Sequence, residues 1–400
     1  MSDVLLYKMV IEGFDFGPFV TKLIIAWNHE TKDLRPEDFS VAVTKQGSFF
    51  EPTPIVEGTR KVIGASVSGK ELTLELEVHP SNQIGNGFRV EKKEDGPGKF
   101  YVGNQWAYPF KHALTWKGRS FELECCGRIM PITDSFDISG KFTASDGVSI
   151  KYASFIPPEA DNSKRPLIMW LHGAGEGSWF GTQEPSVAIM GNKAIAFAGK
   201  EMQELIGGAY VLAPQSPTMW MDDGSGAYTQ DGTSTYTTAL AELISRYLAD
   251  HPNVDKKRIY IGGCSNGGFM TMRMILTKPE LFAAAFPVCQ AFKPEWMSDE
   301  QVKSIAHIPI WQVHSKDDGV VAFSIAETAN ERLLAAGGKN IQHTWYESME
   351  DLSGLWLDED GKPWKYDGHW SWIHAYNNDT HTIIDGKKVS LFEWLHQQSL

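Results

Sequence analysis

The sequence predicts two domains, a β-sandwich followed by a doubly wound α/β domain. Three observations support this prediction. Short strand-like segments separated by turn residues fill the first third of the chain, where helical periodicity is almost absent. From about residue 132 onward, short apolar segments alternate with amphipathic ones, as strands alternate with helices in an α/β sheet. A length of 400 residues fits two domains, which we place at residues 1–131 and 132–400.

The best-defined strand of the first domain lies at residues 72–78, where Leu72, Leu74, Leu76 and Val78 alternate with polar residues. Such alternation is typical of a strand with one buried face. Other segments of strand-like composition lie at residues 4–11, 20–27, 39–43, 61–67, 105–110 and 121–125. Because turns rich in Gly, Pro, Asn and Asp separate many short strands, the first domain is predicted to be an immunoglobulin-like β-sandwich.

The second domain begins with a predicted hairpin, in which residues 136–145 and 148–156 flank an Asp-Gly turn. Short and almost wholly apolar segments follow, as expected of parallel strands covered on both faces. They lie at residues 166–171, 209–213, 258–262, 284–288, 309–313 and 343–346. Predicted helices lie at residues 235–250, 323–336 and 390–398. The apolar residues of the first recur with helical spacing from Leu240 to Leu248, which indicates one buried face.

The composition argues against several classes of partner. With 37 basic and 50 acidic residues the net charge is −13, and no basic stripe is present to bind nucleic acid or an anionic membrane surface. No apolar segment approaches the roughly 18–20 residues that a transmembrane helix needs. The first residues lack the features of a signal peptide, so a cytoplasmic location is expected, or a secreted one if an N-terminal signal has been removed.

The cysteines and the acidic segments do not indicate a metal site. Cys125, Cys126, Cys264 and Cys289 are too few and too irregularly spaced for a disulfide framework or a zinc site. Free thiols are expected, with a bridge between Cys264 and Cys289 as the alternative. The acidic run at residues 358–361 lacks the other positions of a calcium loop and is predicted to be a solvated turn. We predict no metal and no cofactor.

A serine at a sharp strand-to-helix turn is the most informative feature of the chain. Ser265 lies between the predicted strand at 258–262 and a helix-like segment at 268–276, with Gly263 and Gly267 on either side. A turn this sharp strains the serine backbone, and a β-carbon at either glycine would clash with a neighbouring strand or helix. The serine hydroxyl is thereby held above the sheet edge, where a base can reach it. Ser265 is therefore the predicted nucleophile.

An aspartate pair and a histidine follow later strands, so the chain order is serine, aspartate, histidine. Asp317 and Asp318 follow the strand ending near His314, and His369 follows the 343–346 strand after an insertion. A histidine can take the serine proton at neutral pH, and an aspartate fixes the imidazole tautomer and stabilises the imidazolium. His374 is the main alternative to His369.

The developing oxyanion needs backbone N–H donors. One is predicted from Asn266, directly after the nucleophile, and the second from Ala174, with Gly175 as the alternative. Glu176 either contacts the substrate or braces this loop. His172 and His314 stand at strand ends and are expected to hydrogen-bond loop backbone.

Aromatic side chains are concentrated near the predicted site. The segment from residue 345 to 376 carries Trp370 among its aromatic residues, and Trp220 follows the 209–213 strand at the same edge. Aromatic walls suit an apolar or aromatic group of a substrate, although ordinary packing would explain them equally well.

Four segments resemble α/β-hydrolase esterases: 172–176, 263–268, 314–321 and 368–372. The resemblance is strongest to polyhydroxybutyrate-depolymerase-like and feruloyl-esterase-like enzymes, some of which carry an N-terminal immunoglobulin-like domain. It covers residues 132–400 and implies a Ser-Asp-His triad. A His-Gly-x-x-Asp-x-x-Val pattern, with Ser315 in place of glycine, selects Asp318, and a Gly-His-x-Ser-Trp pattern selects His369. A tryptophan near the position of Trp220 lines the family's pocket.

These features predict a serine carboxylesterase that hydrolyses small-molecule or polymeric esters, including polyester or feruloyl esters. A prolyl-oligopeptidase-like peptidase is one alternative, although no propeller-sized domain is present to cover the site. The other is an adhesive module on an inactive hydrolase. The first domain could shape the rim of the site, bind polymer or mediate homo-oligomerisation.

Overall fold

The computed structural model describes residues 4–29, 33–46, 55–94, 100–158, 163–178, 181 and 184–400. The chain divides into two units. The first comprises Met1–Lys92 and Asn104–Ser135, and the second comprises Lys93–Gly103 and Phe136–Leu400. The domain boundary predicted between residues 131 and 132 stays a prediction.

The first unit is built on a mostly antiparallel sheet. The first ten strands of the chain are β1 (Val4–Phe14), β2 (Gly17–Ala26), β3 (Phe39–Lys45), β4 (Val56–Arg60), β5 (Val62–Ser68), β6 (Glu71–Leu76), β7 (Phe88–Glu94), β8 (Phe100–Trp106), β9 (Phe110–Trp116) and β10 (Arg119–Ile129). Eight of them pair in the order β4-β3-β9-β10-β1-β2-β6-β5, with β1 and β10 parallel, and β7 pairs with β8. The β-rich character of this part is confirmed, whereas the immunoglobulin-like assignment stays a prediction.

Most strand predictions in this part match the structure. In β6, Leu72 and Leu74 are fully buried and Glu75 pairs with Lys22 on the outer face, as the alternation predicts. The prediction of one strand at residues 105–110 is wrong, because β8 ends at Trp106 and β9 begins at Phe110. Pro109, which has no N–H to donate to a ladder, lies in the break.

The second unit is built on a largely parallel sheet. Its strands are β11 (Asp137–Thr143), β12 (Ser149–Phe155), β13 (Arg165–Leu171), β14 (Tyr210–Gln215), β15 (Val254–Cys264), β16 (Ala284–Val288), β17 (Ile310–Ser315) and β18 (Ile341–Tyr346). They pair in the order β11-β12-β14-β13-β15-β16-β17-β18, and the last six in this order are parallel. A small antiparallel pair, β19 (His381–Ile384) and β20 (Lys387–Ser390), follows.

Helices accompany the parallel strands. They are α1 (Pro185–Gly191), α2 (Lys200–Ile206), α3 (Thr237–Asp250), α4 (Asn266–Thr277), α5 (Asp299–Ile305), α6 (Phe323–Ala335), α7 (Trp372–Tyr376) and α8 (Leu391–His396). The three predicted helices correspond to α3, α6 and α8. In α3, Leu240, Leu243, Ile244 and Tyr247 are buried, which confirms the predicted face. Among the described residues, no helix is long and apolar enough to cross a membrane.

Parallel pairing brings the carboxyl ends of β13, β15, β17 and β18 to one edge of the sheet. The central strands β13 and β16 are buried along nearly their whole length, as predicted for strands covered on both faces. Loops leaving one edge of a rigid sheet hold their side chains in fixed positions. The predicted site residues follow these strands, except Trp220, which follows β14.

Candidate active site

Ser265 occupies a strained turn between β15 and α4. Its backbone angles are φ 55° and ψ −113°, a conformation that residues other than glycine rarely adopt. The turn is held by its neighbours, because the Ser265 N–H donates to the Val288 carbonyl at 2.9 Å and the Ser265 carbonyl accepts from Phe269 N–H at 2.9 Å. The strand–turn–helix context predicted for the serine is therefore confirmed.

The two glycines beside Ser265 allow close packing of the turn. A β-carbon on Gly263 would lie 2.5 Å from the Leu171 carbonyl oxygen, and one on Gly267 would overlap the same peptide. Leu171 ends β13, the strand beside β15. The turn at residues 263–267, called the elbow below, therefore packs directly against the loop that follows β13. The predicted need for glycine at both positions is confirmed by these distances.

Asp318 and His369 are hydrogen-bonded to each other. The His369 Nδ1–H donates to Asp318 Oδ2 at 2.8 Å, and the side chain of Asp318 is fully buried. Burial alone would raise the pKa of Asp318, but the hydrogen bonds from His314 and His369 outweigh burial and hold that pKa well below its usual range. Asp318 is therefore a buried carboxylate with its charge directed at an imidazole.

The local backbone places His369 for this contact. Its backbone N–H donates to Asp367 Oδ1 at 2.9 Å, and its ring meets Trp372 edge to face at 5.5 Å. A β-carbon on Gly368 would overlap Asp317, so the loop can approach the acid only with glycine at this position. Because Nδ1 is used by Asp318, Nε2 is the nitrogen left to accept a proton from a nucleophile.

The competing residues have other contacts. Asp317 accepts from the Ser315 hydroxyl at 2.5 Å and lies 3.5 Å from Lys365 Nζ. His374 lies in α7 with its ring 4.7 Å from that of Tyr346. The observed geometry thus favours Asp318 and His369 as the acid and base, while their catalytic roles stay predictions.

Cys289 connects the elbow to the acid–base pair. It follows β16 with φ 37°, is fully buried, and its sulfur lies within 4.8 Å of a side-chain donor atom of both Asp318 and His369. Ser265 is tied to the same turn, because its N–H donates to the carbonyl of Val288, the residue before Cys289. Burial raises the pKa of the Cys289 thiol. The hydrogen bond between Ser265 and His369 stays a prediction.

All four cysteines are free, as expected, and no bridge joins Cys264 to Cys289. Cys289, Asp318 and His369 are the described residues whose donor atoms come close enough to hold an ion. The carboxylate and the imidazole already bind each other, and the thiol is favoured in its protonated form by burial. We propose no metal at this position.

The loop after β13 is anchored by a buried histidine. The His172 Nδ1–H donates to the Gly173 carbonyl at 2.6 Å, and Nε2 accepts from the Ser216 N–H at 3.0 Å. Burial lowers the pKa of His172 to about 4, so the ring is neutral at neutral pH. Asn192 also accepts from Gly173 N–H at 3.1 Å. The predicted structural role of His172 is confirmed, and it holds the backbone that carries Ala174.

The predicted oxyanion donors lie on either side of the elbow. Asn266 opens α4, where the first backbone N–H groups of a helix have no helical partner. Its side chain is occupied elsewhere, since Oδ1 accepts from the Met221 N–H at 3.2 Å. Ala174 begins a short 3-10 turn, Ala174–Glu176. The use of these two N–H groups to bind an oxyanion stays a prediction.

The residues predicted to bind substrate differ in their exposure. Glu176 is buried, with its carboxylate against Gly173 and Gly191, a position that fits bracing of the loop. Trp220 is fully buried and packs against His172 and Tyr236, with ring centroids 5.0 and 5.9 Å away. Both are thus packing residues in this conformation, and their contact with substrate stays a prediction.

Trp370 is partly exposed beside His369, with its ring 6.2 Å from that of Trp372. The structure of the segment before Trp370 was not predicted from the sequence. Residues 347–368 form an irregular hairpin with isolated bridges between Glu350 and Lys365 and between Leu357 and Pro363. The acidic run within it is a turn, as predicted, because Asp358 accepts from the backbone N–H groups of residues 360 and 362.

Strand order and elbow together define the second unit as an α/β-hydrolase. Residues 153–353 match the model of the family described as Phospholipase/Carboxylesterase, and the chain belongs to this family. The crystal structure of a thermostable esterase resembles this chain with a TM-score of 0.72 and 26% identity, covering 98% of this chain and 99% of that one.

Curated relatives match shorter parts of this chain. Feruloyl esterase B of Neurospora crassa is 27% identical over 143 residues, which are 35% of this chain and 44% of that protein. Poly(3-hydroxybutyrate) depolymerase of Ralstonia pickettii is 27% identical over 131 residues, 32% and 25% of the two chains. A probable acetylxylan esterase A of Aspergillus fumigatus is 35% identical over 81 residues, 20% and 21% of the two chains. This chain thus spans less than half the length of these relatives, and the predicted resemblance to such enzymes is confirmed.

Proposed function

We propose that this protein is a serine carboxylesterase that acts through Ser265, His369 and Asp318. The observation that carries the proposal is the buried hydrogen bond between Asp318 and His369 beside the strained elbow. A carboxylate held at Nδ1 leaves Nε2 as the basic nitrogen and stabilises the imidazolium that forms when it takes a proton. The family match and the whole-length likeness to an esterase support the same conclusion.

The reaction follows from the positions of these groups. The Ser265 hydroxyl oxygen attacks the ester carbonyl while its proton passes to His369 Nε2. The resulting oxyanion accepts hydrogen bonds from the backbone N–H groups of Asn266 and Ala174. His369 then protonates the leaving alcohol, and an acyl-enzyme remains. A water molecule deprotonated by His369 attacks that acyl group, which releases the carboxylic acid and restores Ser265.

The substrate is proposed to be a carboxylic ester, either small or part of a polymer. The names of the relatives suggest three acyl groups to compare: acetyl, hydroxycinnamoyl and 3-hydroxybutyryl. Trp370 gives the site a partly exposed aromatic surface next to the base, which suits an apolar or aromatic acyl group. A panel of chromogenic esters of these acids, assayed beside matched anilides, measures acyl preference and separates an esterase from a peptidase.

The direct test is the variant Ser265→Ala. We expect kcat for a p-nitrophenyl ester to fall by about 10⁴-fold or more, because the alanine side chain has no oxygen to attack the ester. Ser245→Ala, on the exposed side of α3, is the control and should keep normal activity. Normal turnover by Ser265→Ala would end the proposal.

A further inference from the structure

A second histidine contacts the carboxylate that binds the predicted base. His314 Nε2 lies 2.9 Å from Asp318 Oδ2, the same oxygen that accepts from His369 Nδ1 at 2.8 Å. The other oxygen, Oδ1, accepts from the backbone N–H groups of Val320 and Val321 at 2.8 and 2.9 Å. Four donors therefore hold one buried carboxylate, and two of them are imidazoles.

The surroundings of His314 fix which of its nitrogens carries the hydrogen. Nε2 contacts Asp318 Oδ2 and, at 3.1 Å, the Val321 carbonyl, and both of these oxygens are acceptors. Nε2 must therefore carry the hydrogen and donate a bifurcated hydrogen bond to Asp318 Oδ2 and the Val321 carbonyl. The ring is fully buried on β17 and meets Phe323 edge to face at 5.9 Å, so it has little freedom to turn away. His314 is thus a rigid donor aimed at the acid.

We propose that His314 is a positioning residue that holds Asp318 and moderates its interaction with His369. Its hydrogen bond fixes the plane of the carboxylate, so that Oδ2 faces the base. The same bond draws negative charge from Oδ2, which reduces the stabilisation of the His369 imidazolium. This inference rests on the proposed function, because it concerns how the acid and base of that reaction are tuned.

The proposal predicts the direction in which the pH–activity profile moves when the His314 donor is removed. Without the His314 donor, Oδ2 interacts more strongly with His369, which stabilises the imidazolium. The acid side of the pH–activity profile should therefore move to higher pH. Freed from one of its anchors, the carboxylate also turns more easily, and kcat falls. Titratable groups beside Asp318 and His369 include Cys289, Asp317, Lys365 and Asp367.

Two substitutions of His314 separate the effect of its hydrogen-bond donor from the effect of its packing. In His314→Gln the side-chain amide nitrogen can take the position of Nε2 and donate, whereas His314→Leu fills the space without a donor. We expect His314→Leu to lower kcat by about 10-fold or more, with KM changed less than about 3-fold. The acid side of its pH–activity profile, called the acid limb below, should move to higher pH. His314→Gln should stay within about 3-fold of wild type with a near-normal acid limb. His343→Leu, on the exposed part of neighbouring β18, is the control and should change neither.

Rates must be expressed per active site, counted by fluorophosphonate labelling. An unchanged acid limb and normal kcat per labelled site in His314→Leu would overturn the proposal and leave His314 a packing residue. Equal impairment of His314→Gln and His314→Leu would also overturn it. If His314→Leu does not fold, His314→Asn replaces it, because its shorter amide cannot reach Asp318. Failure of the wild-type protein to label at Ser265 would instead contradict the proposed function.

Discussion

At the scale of single residues, the charge of Asp318 is the clearest consequence of the fold. A carboxylate in a fully buried position is costly unless donors surround it, and here two imidazoles and two backbone N–H groups do so. The lowered pKa of Asp318 means that the folded protein holds the ionised form more strongly than the unfolded chain does. Asp318 therefore stabilises the fold as well as accepting a hydrogen bond from His369.

This gives a pH-dependent prediction for Asp318→Asn. An unfolded aspartate titrates near pH 4, and the folded pKa is lower, so the stabilisation is fully present above about pH 4 and is lost as the pH falls further. We expect Asp318→Asn to lower the free energy of unfolding by about 1.5–3 kcal/mol at pH 7, and this difference to shrink below pH 4. Urea unfolding at pH 7, 5 and 3 measures it.

Asp317→Asn is the matched control. Asp317 is the adjacent carboxylate, and its Lys365 partner is largely exposed, so its substitution should change stability by less than about 1 kcal/mol at any of these pH values. A constant difference between wild type and Asp318→Asn from pH 7 to pH 3 would show that the charge of Asp318 is not the source of the stability.

Sequence reasoning reached some of these residues and missed others for a physical reason. A serine between glycines at a strand-to-helix boundary can be recognised because the backbone requirement is local. The contact of His314 with Asp318 depends on how the loop after β17 folds back, with the Asp318 N–H donating to the Ser315 carbonyl. The position of Cys289 depends on the pairing of β15 with β16. Pairings between distant segments leave no periodic signal in the chain.

At the scale of elements, the elbow depends on how closely β13, β15 and α4 approach one another. Gly267 lies where any β-carbon would overlap the backbone of Leu171 and His172. Backbone atoms in the centre of a sheet cannot yield as the end of a flexible side chain can. The contact therefore limits position 267 to glycine more strictly than an ordinary helix position would.

The matched pair Gly267→Ala and Gly319→Ala tests this. We expect Gly267→Ala to lower the free energy of unfolding by about 3 kcal/mol or more and to abolish most esterase activity, because β13 and α4 must separate. Gly319 lies in the loop that carries Asp318. Apart from its two chain neighbours, no described residue has an atom within 4 Å of the position that its β-carbon would take, so Gly319→Ala should fold normally. Thermal unfolding and ester hydrolysis measure both effects. Normal activity of Gly267→Ala would contradict the close approach seen at the elbow.

Element prediction succeeded where the hydrophobic pattern is long or strictly alternating. The apolar parallel strands and the amphipathic helix α3 were predictable because burial imposes their composition. Helices α1, α2, α5 and α7 have only five to seven residues and were not predicted, whereas α8 was predicted at residues 390–398 although it has only six. The hairpin at residues 347–368 is held by isolated bridges and by the contact of Lys365 with Asp317, which composition does not encode.

At the scale of the whole molecule, the chain joins a β-rich unit to a carboxylesterase-family unit. The likeness to a thermostable esterase extends over almost the full length of both chains, so the β-rich part is shared with that structure. We propose that this part shapes access to the site, binds polymer or forms oligomers. The chemistry proposed for the second unit depends on none of these roles, because every residue assigned to it lies between residues 172 and 370.

The measurement that tests the central claim most directly is the rate and position of covalent labelling by a fluorophosphonate, followed by peptide mass spectrometry. The account predicts one adduct per chain, on Ser265. It also predicts labelling slower by about 10³-fold or more in His369→Ala, because the hydroxyl then lacks its base. An adduct on another residue, or labelling of His369→Ala at the wild-type rate, would contradict the pairing of Ser265 with His369.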